Sequence, residues 1–94
     1  SKRTVADVFL IPIGVLKVAL DVVAKLRSAE INTDVDIMGR GISKNLQYAD
    51  SLEIPYALIV GENEVTAGKY TLREMDSGKE EKLPITKIIK KLQS

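Results

Sequence analysis

Three glycine-bearing turns, each directly after a short apolar run, constrain this chain more than any other feature. They are Pro12-Ile13-Gly14, Met38-Gly39-Arg40-Gly41 and Val60-Gly61-Glu62. The first two lead into helical patterns. Apolar run, glycine turn and amphipathic helix in succession describe a sheet built by crossovers. Such crossovers are right-handed, so the first three strands are predicted to be parallel. Loops leaving the carboxyl ends of parallel strands gather at one crevice, where ligands bind. Function is therefore expected along that rim.

The remaining pattern completes an α/β fold. Val5 to Ile13 reads as a buried strand, apolar on both faces. Val15 to Ala29 reads as a helix whose inner stripe is Leu16, Leu20, Val23 and Leu26, widened by Ala19 and Val22. Thr33 to Met38 alternates polar and apolar residues like an edge strand. Ser43 to Glu53 is a second helix, with Leu46, Ala49 and Leu52 inward and Pro55 as its stop. Tyr56 to Val60 is a central strand. Lys69 to Met75 and Glu80 to Leu83 form a hairpin about Asp76-Ser77-Gly78. Ile85 to Leu92 is a final amphipathic helix, its Lys87, Lys90 and Lys91 read as a solvated face. The fold expected is a three-layer α/β/α domain with a five-stranded mixed sheet, strand order 2-1-3-4-5, and three main helices.

Composition removes several function classes. Ninety-four residues make one domain. Cysteine and histidine are absent, which excludes disulfides, thiolate nucleophiles, zinc fingers and Ser-His-Asp triads. With 14 basic and 13 acidic residues the formal charge is +1, unlike a general nucleic-acid coat protein. Recognition of a few exposed bases stays compatible with that balance. The longest apolar stretch, Val8 to Leu16, is too short to span a bilayer. The basic start Ser1-Lys2-Arg3-Thr4 has no cleavable signal pattern, so a cytoplasmic protein with no membrane partner is expected.

Candidate site residues fall on the rim. Gly61-Glu62-Asn63-Glu64 carries two carboxylates after the central strand. A metal or glycosidase reading lacks further ligands at suitable spacing. A lone carboxylate beside neutral and basic donors suits another task, accepting two hydrogen bonds from the Watson–Crick edge of a guanine in a single strand. Arg40, Lys44, Asn45 and Tyr48 are expected to share a solvent face at the start of the second helix. Arg and Lys can hold phosphate, Asn can read a base edge and Tyr can stack. The plainer alternative is a wet helix face. Arg73 is expected on the face of Thr71 and Met75, where it meets Glu64, a phosphate or a surface ion-pair partner.

These segments resemble a known family. The run Ala6 to Gly14, then Gly39-Arg40-Gly41-Ile42-Ser43-Lys44-Asn45-Leu46-Gln47-Tyr48-Ala49-Asp50, is similar to the anticodon-binding domain of class IIa aminoacyl-tRNA synthetases. So are Ile54 to Glu64 and Thr71-Leu72-Arg73-Glu74-Met75-Asp76-Ser77-Gly78, and the histidyl branch fits best. The resemblance implies that residues 1–94 are one anticodon-binding domain of a longer synthetase. It implies that the domain binds the tRNA anticodon loop, that of histidine tRNA, without catalysis, metal or cofactor of its own. ATP and magnesium would belong to the parent's catalytic domain. The parent would be a homodimer, and the isolated domain a monomer. Carried over by position, Glu64 reads a base, Arg73 contacts the same loop, and Arg40, Lys44, Asn45 and Tyr48 line the surface. The alternative is a synthetase-like accessory module that pairs with a protein through its sheet edges.

Overall fold

A computed structural model describes residues 5–14 and 16–93. The basic start at 1–4 and the expected helix start at Val15 lie outside the described residues. The elements run β1 (Val8–Ile13), α1 (Leu16–Ser28), β2 (Thr33–Val35), α2 (Ile42–Ser51), β3 (Tyr56–Gly61), α3 (Glu62–Ala67), β4 (Tyr70–Glu74), β5 (Glu80–Leu83) and α4 (Ile85–Gln93). The sheet order is β2-β1-β3-β4-β5. β1 pairs in parallel with both β2 and β3, and β3-β4 and β4-β5 are antiparallel. The mixed sheet and its order match the expectation, and α3 is an additional short helix.

Alternation along β1 divides the core. Val8 and Leu10 face α1 and α4, together with Leu58, Leu72 and Ile88. Phe9 and Ile11 face α2, together with Ala49, Ala57 and Ile59. The sheet is thus covered on both faces, as a parallel sheet requires. Each fully buried aliphatic side chain here contributes roughly 1.5–3 kcal/mol relative to exposure.

The stripe of α1 differs from expectation. Its buried residues are Ala19, Val22, Val23 and Leu26, while Leu16 and Leu20 are 43% and 44% exposed. At about 100° per residue, Leu16 and Leu20 sit to one side of the centre of the buried four. β2 is also shorter than expected. It ends at Val35, because Asp36 turns its side chain inward while Ile37 and Met38 turn out to solvent.

α1, α2 and α3 stop by one device. In α1 the Ile31 N–H bonds to the Leu26 carbonyl at 3.1 Å and the Glu30 N–H to Arg27 at 2.9 Å. Ile54 and Glu53 repeat this on Ala49 and Asp50, both at 3.0 Å, and Lys69 and Gly68 on Glu64 and Val65. This is the Schellman motif, which places one residue in the left-handed region. Gly68 fills that position in α3, but Glu30 (φ 62°) and Glu53 (φ 59°) fill it in α1 and α2. Helix α2 therefore ends by this motif at Leu52–Glu53, ahead of Pro55. Among the described residues no helix is long and apolar enough to cross a membrane.

Candidate functional site

Parallel pairing of β1 with β2 and β3 delivers the three glycine turns to one rim. The register Ile13↔Gly61 puts the first and third turns side by side. Between them and the hairpin lies an open cavity of about 630 Å³. Its apolar floor is Ile13, Ile42 and Ile59, and its polar wall is Glu62, Asn63, Glu64, Thr71, Glu80 and Lys82. A second cavity of about 580 Å³ sits at the opposite, amino end of the strands, around Arg27 and Asn32 to Asp34. It meets none of the three turns.

Glu64 is the third residue of α3 and folds back over the helix start. Its Oε1 accepts from the Gly61 N–H at 3.1 Å, supplying a donor-rich helix end with an acceptor. Lys82 Nζ stands 3.8 Å from Oε2, and the Glu64 side chain is 18% exposed. Each carboxylate oxygen has more than one lone pair, so the cap leaves acceptor capacity facing the cavity. A Cβ on Gly61 would come within 2.6 Å of Glu64 Oε1. Glycine at this position gives the folded-back carboxylate its room.

Arg73 does not meet Glu64. The β4–β5 register places it directly opposite Glu80, and its Nη1 bonds to Glu80 Oε2 at 2.9 Å. Its Nε is buried without a hydrogen-bond partner among the described residues. The guanidinium also packs 3.5 Å from the position a Cβ on Gly78 would take. Of the options raised by the sequence, the cross-strand ion pair is the one formed. Cross-strand pairing across a glycine turn was the signal for it.

The group at the start of α2 is divided by the structure. Arg40 lies 4.5 Å from the centroid of the Tyr48 ring, and Phe9 meets that ring at 5.5 Å and 55°. Tyr48 is 41% exposed, and Lys44 is exposed in the first turn. Asn45 is the correction: it is 0% exposed and shares no solvent face with Lys44 or Tyr48. It stands four residues before Ala49 and seven before Leu52, on the stripe that packs against the sheet. Its Nδ2 donates to Asp36 Oδ2 and to the Gly41 carbonyl, both at 2.7 Å. A base cannot reach it.

The residue that sequence reasoning missed is Asp36, 2% exposed at the carboxyl end of β2. Besides Asn45 it accepts from Met38 N at 2.9 Å, Arg40 N at 3.1 Å and Arg40 Nε at 3.3 Å. Burial pushes its carboxyl upward. The bonds from Asn45, Met38 and Arg40, with the Arg40 charge, outweigh burial and bring it down to about 2. An aspartate two residues before a glycine-rich turn is an Asx-turn signal, and the even alternation of Thr33 to Met38 hid it. Lys91 of α4 is a smaller correction. It bonds Glu81 of β5 rather than joining a wholly solvated face. The bond lowers the Glu81 carboxyl and raises the Lys91 ammonium.

A family model described as an anticodon binding domain matches residues 7–94. The histidine–tRNA ligase of Thermococcus kodakarensis is 41% identical over 81 residues, covering 82% of this chain and 19% of that protein. Histidine–tRNA ligase 1 of Bacillus cereus is 38% identical over 84 residues, covering 88% of this chain and 20% of that protein. The chain thus spans about a fifth of the length of these relatives. Among solved structures, a histidyl-tRNA synthetase from a Nostoc species superposes with a TM-score of 0.91 at 25% identity, over 96% of this chain and 22% of that one. The RNA binding domain of threonyl-tRNA synthetase from Cryptosporidium parvum gives 0.87 at 25% identity, over 94% and 23%.

Proposed function

We propose a reader of the tRNA anticodon, from the premise that this chain belongs to the anticodon-binding domain family that histidine–tRNA ligases carry. The tRNA is that of histidine, and the parent protein attaches histidine to it. ATP, magnesium and bond-making belong to a catalytic domain outside this chain, and the parent works as a cytoplasmic homodimer. The domain's own contribution is affinity and placement.

The observation that carries this reading is the charge of the rim cavity. Glu62, Glu64 and Glu80 line the cavity together with one lysine, Lys82, which stands 3.8 Å from Glu64, beside the apolar Ile13, Ile42 and Ile59. Such a surface repels phosphate and favours the N–H groups of a base edge. A splayed base resting on Ile13 and Ile42 would present its donors to Glu64, as single-stranded bases are read. Arg40 and Lys44 supply cations for the flanking backbone, and the exposed part of Tyr48 offers a stacking surface. Arg73 acts through Glu80, setting one wall of the cavity.

Two variants at Glu64 test the reading. Glu64→Gln retains an acceptor for the Gly61 N–H but removes the paired acceptors a guanine needs. Its affinity for the anticodon stem-loop of histidine tRNA should fall by about 1–3 kcal/mol, with the fold unchanged. Glu64→Ala should lose the cap as well, costing about 0.5–2 kcal/mol of stability. Equal affinity of Glu64→Gln and the parent sequence would refute base reading. So would a steep salt dependence blind to anticodon sequence, which is the mark of phosphate binding alone.

A further inference from the structure

We propose that Asp36 is a positioning residue for RNA binding: it touches no RNA, but holds Arg40 in the pose from which Arg40 and Tyr48 engage it. This rests on the anticodon reading above and adds a residue to it.

The contacts form a connected path from the core to the surface. Asn45, wholly buried on α2, donates at 2.7 Å to Asp36 Oδ2 and so restricts rotation of the carboxylate. Oδ1 then faces outward to the Arg40 Nε at 3.3 Å and the Met38 N–H at 2.9 Å. Arg40 is thereby held at both ends, its backbone N–H by Oδ2 at 3.1 Å and its guanidinium by Oδ1. The guanidinium lies over Tyr48 at 4.5 Å, with its side chain 36% exposed.

Asp36 engages the guanidinium through Nε alone, among the bonds formed by described residues. The Nη groups at the tip therefore remain available for an incoming phosphate or base. An unrestrained arginine at a glycine-flanked turn would sample many rotamers and lose that freedom on binding. Fixing the pose beforehand removes this cost from the binding step. Met38 and Ile37, both exposed, line one surface cavity with Arg40 and Tyr48 and add apolar surface to it.

The test is a double-mutant cycle on anticodon stem-loop affinity with Asp36→Asn, Arg40→Ala and both together, each confirmed folded by circular dichroism. If Asp36 acts through Arg40, each single variant loses about tenfold and the double variant loses no more than Arg40→Ala. Losses that multiply would overturn the proposal. Val23→Ala, a core change on the other face of the sheet, controls for stability. If it weakens RNA binding as much as Asp36→Asn does, the effect is structural and the proposal fails. Should Asp36→Asn not fold, Asp36→Ser keeps an acceptor for the turn N–H and removes the guanidinium's partner, and it takes the same place in the cycle.

A readout without RNA separates this proposal from the function it rests on. The Arg40 Nε–H resonance should be shifted by the Tyr48 ring and protected from solvent exchange. Both features should vanish in the Asp36 variant. If the parent sequence binds no anticodon stem-loop, the anticodon reading falls and positioning for RNA falls with it, even with this signature intact. If RNA binds but the resonance is unchanged by the Asp36 substitution, the positioning role alone is refuted.

Discussion

Asp36→Asn is expected to unmask a pH-dependent share of stability that belongs to one buried carboxylate. The group's pKa falls from 3.8 to about 2 on folding. At about 1.36 kcal/mol per pH unit, that fall corresponds to roughly 2 kcal/mol. Because the folded pKa is the depressed one, the contribution is fully present above pH 4 and is lost as pH falls toward 2. Most of it should be gone at pH 2.5. The amide also turns a donor toward the donors of Met38, Arg40 and Asn45, at a further cost of roughly 1–3 kcal/mol. Urea unfolding followed by circular dichroism should therefore give a deficit of about 3–5 kcal/mol at pH 7 for Asp36→Asn. The deficit should narrow by roughly 1–2 kcal/mol at pH 2.5. Glu81, whose carboxyl is lowered by Lys91, titrates in both proteins and cancels in the difference. A gap that stays constant from pH 7 to pH 2.5 would show that the Asp36 charge is not held as described.

Two further substitutions probe the backbone. Gly41→Ala puts a side chain at φ 88°, ψ 171°, a region only glycine occupies freely. It should cost about 1–3 kcal/mol in urea unfolding, and a change near zero would contradict the geometry. Glu30→Gly relieves a left-handed non-glycine residue at the end of α1. A gain of about 0.5–1 kcal/mol, seen as a rise in Tm of a few degrees, is expected, whereas a fall would mean the Glu30 side chain stabilises more than its backbone strains.

The sheet was legible because its signal is redundant. Val8 to Ile11 and Tyr56 to Val60 are apolar on both faces, and only a central position in a covered sheet accommodates that. The hairpin turn is marked by Asp76-Ser77-Gly78, and β5 occupies Glu80–Leu83 as expected. The helix faces were harder, because periodicity does not reveal where along its circumference a helix meets the sheet. Leu16 and Leu20 fit an apolar stripe but lie outside the buried one, and Asn45 is polar yet lies inside it. Asn45 and Asp36 are buried as a pair, and residue-by-residue expectation sends each of them to solvent. The site residues on the rim could be placed by topology alone. Their partners could not, since Arg73 with Glu80 and Glu64 with Lys82 depend on side-chain reach across strands.

The two margins of the sheet discourage growth. β2 offers three residues, and the outward Thr33 carbonyl is already taken by Arg27 at 2.7 Å. β5 presents Glu80, Glu81 and Lys82 in succession. A neighbouring polypeptide seeking to add a strand finds one border too brief and the other heavily ionic. Self-templated stacking and sheet-extending partners are both disfavoured, so contacts with other macromolecules are directed to the loops and helix faces instead.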